Sequence, residues 1–184
     1  MVRHDTDAEY AAEAAICREL FGKKAIDYGT AWRILRPTSM TDQIYIKANR
    51  IRSIETKGEQ RIAEGIRSEL IGIVNYAAMG LIQCRKGYAD APDMSAEEAL
   101  KLYDEQIAEA KNLMESKNHD YDEAWRQMRT SSIVDLILMK ILRTKQIEDH
   151  QGTTLVSEGV EANYQDMINY AIFAMIQTDE NLNK

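Results

Sequence analysis

Near the end of the chain, Glu158, Glu161, Asp166 and Asn169 stand close together in otherwise apolar text. Read as one helix at about 100° per residue, Glu158 and Asn169 point within about 20° of each other, with Glu161 about 60° to one side and Asp166 about 80° to the other. Carboxylates near a bundle centre are unfavourable unless paired or bound to a cation. A hard, oxygen-ligated ion such as Mg²⁺ suits this donor set. The competing reading is a hydrogen-bonded polar stripe.

A second set is basic. Lys47 and Arg50 lie three residues apart and share a helix face, and Lys140 and Arg143 repeat them. Lys and Arg on one rigid helix can grip phosphate, Arg in bidentate fashion. Lys24 and Lys117 precede Asp27-Tyr28 and Asp120-Tyr121 by three residues, and either join a phosphate site or sit at a helix C-terminus. Trp32 and Trp125 read as core anchors or as base-stacking platforms, and Tyr28 and Tyr121 likewise. Asp42 and Asp135, in Ser-x-x-Asp, read as parts of helix caps.

These residues come in pairs because the sequence is an internal duplication. Shifted by 93, residues 24–50 match 117–143 at twelve of 27 positions. After one inserted residue the shift becomes 94, and 64–83 match 158–177 at seven positions, among them Glu64/Glu158, Asn75/Asn169, Tyr76/Tyr170 and Gln83/Gln177. Each half predicts three helices. In the first half they run from Thr6 to about Ile26, from after Ser39 to Lys57-Gly58, and from about Glu59 to Lys86. In the second half the first begins after Ser95, the second after Ser132, and the third spans about Thr154 to Gln177. The third helices are apolar almost all round, which places them at the centre of a bundle. The expected fold is therefore all-α. Residues 1–88 and 95–184 form two tandem three-helix repeats, joined by a linker at 89–94 and packed together as an internal pseudo-dimer.

Composition removes several classes. The chain has 184 residues and a net charge of -7, which argues against a duplex nucleic-acid coat. The charge is uneven: residues 1–92 carry +2 and residues 93–184 carry -9. No apolar run approaches the ~20 residues that cross a bilayer. The polar N-terminus resembles neither a signal nor a transit peptide. Cys17 and Cys84 lack metal spacing and read as buried free thiols in a reduced, cytoplasmic setting.

Lys-x-x-Asp-Tyr-Gly-x-x-Trp, then Asp-x-x-x-x-Lys-x-x-Arg, then Glu followed by Asn-Tyr-Ala, resembles the nucleotide modification associated domain family of the first class, once per half. Lys24, Asp27, Tyr28, Gly29, Trp32, Lys47, Arg50, Glu64, Asn75 and Tyr76 carry the resemblance in the first half. Lys117, Asp120, Tyr121, Trp125, Lys140, Arg143, Glu158, Asp166, Asn169 and Tyr170 carry it in the second, where Asp122 replaces the glycine. That family is distantly similar to MazG-type all-α nucleoside triphosphate pyrophosphohydrolases, which bind Mg²⁺ through Glu-x-x-Glu and Glu-x-x-Asp on facing helices. Glu158-x-x-Glu161 fits the first motif. The second is split between Glu69-x-x-Gly72 and Asn163-x-x-Asp166.

The resemblance implies a nucleotide as ligand and a Mg²⁺-dependent pyrophosphohydrolase as the leading activity. Glu158, Glu161, Asp166 and Glu64 would be catalytic, and Asp27 or Asp120 would join Glu158, Glu161 and Asp166 on the metal. Lys24, Tyr28, Trp32, Lys47, Arg50, Asn75 and their counterparts Lys117, Tyr121, Trp125, Lys140, Arg143 and Asn169 would hold the nucleotide. The rival expectations are a non-catalytic nucleotide binder or regulator, and a structural interaction module; either form can also pair as a homodimer.

Overall fold

The computed structural model describes residues 4–57 and 62–182; the side chains of residues 62–64, Tyr121 and Leu182 fall outside that description, and with them those of Glu64 and Tyr121. Six long helices carry the fold: α1 (Thr6–Tyr28), α2 (Pro37–Lys57), α3 (Ile62–Lys86), α4 (Ala96–Tyr121), α5 (Thr130–Asp149) and α6 (Val160–Leu182). A short 3-10 helix precedes α2 (Ala31–Ile34) and another precedes α5 (Ala124–Gln127). There is no strand among the described residues.

The helix ends follow local chemistry. The Asp5 carboxylate accepts the Ala8 N–H at 3.1 Å, so the N-cap of α1 is one residue ahead of the Thr6 expected from sequence. Ser95 caps α4 as expected, accepting the Glu98 N–H at 3.1 Å. The other two serine caps are not used. α2 begins at Pro37, which lacks the N–H that a first-turn position leaves unpaired anyway, and α5 begins at Thr130 behind Arg129. Asp42 and Asp135 instead form ion pairs between α2 and α5: Asp42 with Lys145 at 3.0 Å and Asp135 with Arg52 at 3.1 Å. These pairs are copies of each other across the duplication.

The third helix of the second half starts six residues later than the periodicity predicts. Gln151 and Gly152 turn the chain with positive φ, the Thr154 hydroxyl binds the Ser157 carbonyl at 2.7 Å, and Gly159 ends the coil. Glu158 therefore lies in coil ahead of α6, exposed, and off the helix face it was expected to share.

Each helix packs on its own counterpart: α3 on α6, α2 on α5 and α1 on α4. This is the two-fold geometry of a self-complementary dimer, built into one chain. Its lock is a reciprocal hydrogen-bond set at the centre. The Tyr10 hydroxyl donates to Asn169 Oδ1 at 2.8 Å, while Asn169 Nδ2 donates to the Ala110 carbonyl at 2.9 Å. The Tyr103 hydroxyl donates to Asn75 Oδ1 at 2.8 Å, while Asn75 Nδ2 donates to the Cys17 carbonyl at 3.2 Å. Burial pushes the Cys17 thiol up to about 12, so it stays protonated at neutral pH. Close helix approach needs Gly80, where a Cβ would come within 3.0 Å of the Tyr164 ring.

Candidate functional site

The first half encloses a cavity of about 390 Å³ between α1, the first 3-10 helix, α2 and α3. The residues that carry the repeated pattern meet there: Lys24, Tyr28, Gly29, Trp32, Lys47, Asn75 and Tyr76 all line it. Each is placed by the duplication's local structure. Lys24 and Tyr28 sit one turn apart at the end of α1. Gly29 then turns the chain at φ 68° and ψ -144°, a backbone region open almost only to glycine. That turn delivers Trp32 on the 3-10 helix, whose carbonyls are gathered by Gln83: its Nε2 donates to the Arg33 carbonyl at 2.9 Å and the Leu35 carbonyl at 2.6 Å. Gln177 repeats this at the Trp125 and Met128 carbonyls, 3.0 and 2.9 Å away. The glutamines are a positioning device, and their identity in both copies is the signal that marks them.

Aromatic and basic side chains line the cavity together. Trp32 is half-buried, with Phe21 tilted against it at 6.3 Å. Tyr28 is exposed at the rim, and burial and the Asp27 and Tyr76 charges hold its phenol above the ordinary value. The Lys47 ammonium lies 5.8 Å from the Tyr76 ring centre and 3.6 Å from Glu69, which also takes Arg50 at 3.2 Å. Lys24 forms no ion pair among the described residues. Asn75 borders the cavity, but both ends of its amide are committed to the central lock.

The second half has the same parts in a closed arrangement. Its counterpart cavity is about 50 Å³. Phe173, where the first half has Met79, stacks on Trp125 with ring centres 4.2 Å apart and planes 3° from parallel, and the Arg126 guanidinium lies 4.3 Å from the same ring. Asp166, where the first half has Gly72, is buried and holds two lysines: Lys117 Nζ on Oδ1 at 2.8 Å and Lys140 Nζ on Oδ2 at 2.7 Å. Asn169 is spent on the central lock like Asn75. Arg143 is exposed beside Lys140 and Glu158 on an open groove, in no ion pair among the described residues. Phe173 is the site-determining residue that sequence reasoning missed.

The carboxylates named for metal binding do not come together. Glu158 is in coil, and Glu161 faces outward to Arg85 at 3.1 Å. Asp166 spends both oxygens on lysines, and Asp27 and Asp120 are exposed near the ends of α1 and α4. A hard cation requires several oxygens converging on one point. Among the described residues only His4, Glu9 and Glu180 cluster closely enough, and Arg126 already binds both carboxylates. A Mg²⁺ ion held by Glu158, Glu161 and Asp166 does not fit this arrangement. Glu161 stands where the first half has Arg67, the half-buried partner of the buried Glu13 at 2.7 Å. The counterpart of Glu13 is Gln106, whose side-chain oxygen has no partner among the described residues.

Among the described residues no helix is long and apolar enough to cross a membrane. No curated protein and no solved structure matches the chain. The profile of the nucleotide modification associated domain 1 family matches twice, over residues 24–84 and 117–178, and apart from Leu20, Phe21 and Met114 the residues lining the cavity and its closed counterpart each fall inside one match. This chain belongs to the nucleotide modification associated domain 1 family, in duplicate.

Proposed function

We propose that this protein is a nucleotide-binding protein whose working site is the first-half cavity, and that it binds without hydrolysing. The reading is carried by one observation: seven residues of the repeated pattern line a single cavity with an aromatic wall and two lysines. Its size lies within the ~300–1,000 Å³ typical of small-molecule pockets. A base stacks on Trp32 and Tyr28, an interaction worth about 1–3 kcal/mol and tolerant of base identity. Phosphate lies toward Lys24 and Lys47. The dispersed carboxylates favour binding over hydrolysis: among the described residues no three carboxylates converge beside the lysines to hold a metal, and Glu69 is committed to Lys47 and Arg50.

The test is a titration of nucleoside mono-, di- and triphosphates, with Mg²⁺ present, that records tryptophan fluorescence together with phosphate and pyrophosphate release. Saturable quenching without product is expected. Turnover of any nucleotide would replace the binding role with an enzymatic one. Absence of any binding would leave the repeats as a packing module.

A further inference from the structure

The two halves place the same lysines around different centres. Under the 93- and 94-residue shifts, Lys24 corresponds to Lys117, Lys47 to Lys140 and Gly72 to Asp166. In the second half the Asp166 carboxylate sits between its two lysines, one oxygen to each, at 2.8 and 2.7 Å. In the first half there is no side chain at that position. A Cβ on Gly72 would fall 2.3 Å from Lys47 Cδ and 2.5 Å from Cε, so the lysine chain itself lies across the space. Its ammonium is turned to Glu69 at a loose 3.6 Å.

We propose that Asp166 occupies the place of a ligand's anionic group, and that the matching point beside Gly72, between Lys24 and Lys47, is a phosphate subsite suited to a nucleoside monophosphate. This rests on the reading of the cavity as a nucleotide site. Charge selects the monophosphate. Among the described residues Glu69 is the carboxylate in ion pairs with Lys47 and Arg50, and Lys24 forms none, so these ion pairs leave two positive charges. A phosphate monoester carries about -1.5 to -2 at neutral pH and matches them. The further phosphates of a triphosphate would add negative charge beyond what Lys24, Lys47 and Arg50 balance among the described residues. The second half needs no ligand, because Asp166 and the Phe173–Trp125 stack supply both the anion and the aromatic partner from within the chain. Occupancy of the first half swings Lys47 off Gly72 toward the phosphate.

The experiment is calorimetric titration of the full chain with the four ribonucleoside 5′-monophosphates, their nucleosides and their triphosphates. Two variants accompany it: Gly72→Asp, which copies the second-half arrangement, and Lys24→Gln, at an exposed residue. The atoms an aspartate would meet at Gly72 belong to a flexible lysine chain, and thermal melts check that both variants fold. For the native chain, at least one monophosphate binds with one site per chain, about tenfold or more tighter than its nucleoside and its triphosphate. In Gly72→Asp the monophosphate falls to the affinity of the nucleoside or below. In Lys24→Gln it loses about tenfold while the nucleoside is unchanged. If Gly72→Asp does not fold, Lys24→Gln decides alone. A monophosphate preference that survives in the folded variants would place the phosphate elsewhere and overturn the subsite, leaving the nucleotide site standing. Failure of every nucleoside and nucleotide to bind the native chain would overturn both.

Discussion

The first half keeps a cavity and the second half has filled it, on one backbone plan. Two replacements account for most of the difference: Gly72 becomes Asp166, and Met79 becomes Phe173. Both sit on the third helix, facing the repeated lysine and tryptophan positions. The acidic partner has also moved by one turn. Glu69 neutralises Lys47 and Arg50 in the first half, and Asn163 stands at that place in the second, where Asp166 takes over. Among the described residues each half has one carboxylate in ion pairs with this basic cluster, but only in the second does it bridge both lysines. The comparison teaches that a duplicated site can be retired by satisfying its charges internally, with the binding residues themselves left in place.

The largest effect on this comparison comes from the aromatic plug. Phe173→Ala removes the stack on Trp125 and is expected to destabilise the chain by about 3–5 kcal/mol. Phe173→Met, which copies the first half, conserves much of the volume and falls under about 1.5 kcal/mol. Urea unfolding measures both. Met79→Ala faces an existing cavity and ranks well below Phe173→Ala; equal costs would mean that the two cavities do not differ as described.

The next effect is electrostatic. Removing one partner of a buried pair costs about 3–5 kcal/mol. Asp166→Ala is expected at the low end of that range, because Lys140 is nearly buried while the Lys117 side chain is 46% exposed. Glu69→Ala leaves Lys47 and the solvated Arg50 free to hydrate, so about 1 kcal/mol is expected. The same pair has a pH signature. Burial tends to lower the Lys117 pKa, but the hydrogen bond and charge of Asp166 outweigh it and the net shift is upward. A raised lysine pKa contributes stability that is fully present below the unfolded value of about 10.4 and is lost as pH rises through the folded value. The stability gap between the native chain and Asp166→Ala, followed by denaturant melts, therefore narrows above about pH 10.4. A gap that stays constant there would remove Lys117 from the pair.

The smallest effect is spectroscopic. With Trp125→Phe, the remaining Trp32 is open to the cavity and is quenched efficiently by acrylamide. With Trp32→Phe, the remaining Trp125 is 6% exposed and stacked, and quenching is weak. Similar quenching of the two would erase the distinction between an open and a closed half.

Much of the fold was legible because the duplication repeats its landmarks. The apolar third helices and the Ser95 cap both follow from periodicity and capping chemistry. The failures are local. Ser39 and Ser132 look like caps but lie inside helices, because Pro37 and its counterpart position start the turn earlier. Glu158 reads as helical because it matches Glu64 across the duplication, inside the third-helix text. The turn at Gln151-Gly152 and Gly159 overrides it and leaves Leu155 and Val156 exposed. The candidate site was half legible. Lys24, Tyr28, Trp32 and Lys47 were marked by repetition, and they do converge. Repetition also marked their counterparts, and it carries no information on whether a site is open. That information sits at the positions where the copies differ, Gly72/Asp166 and Met79/Phe173. Its meaning depends on side-chain direction in the packed bundle.

The most direct measurement is a crystal soaked with a brominated nucleoside monophosphate and read for bromine anomalous scattering. One peak per chain against Trp32, with phosphate density between Lys24 and Lys47, is the expected result. A peak against Trp125, or in both halves, would contradict the division into a working half and a self-filled one.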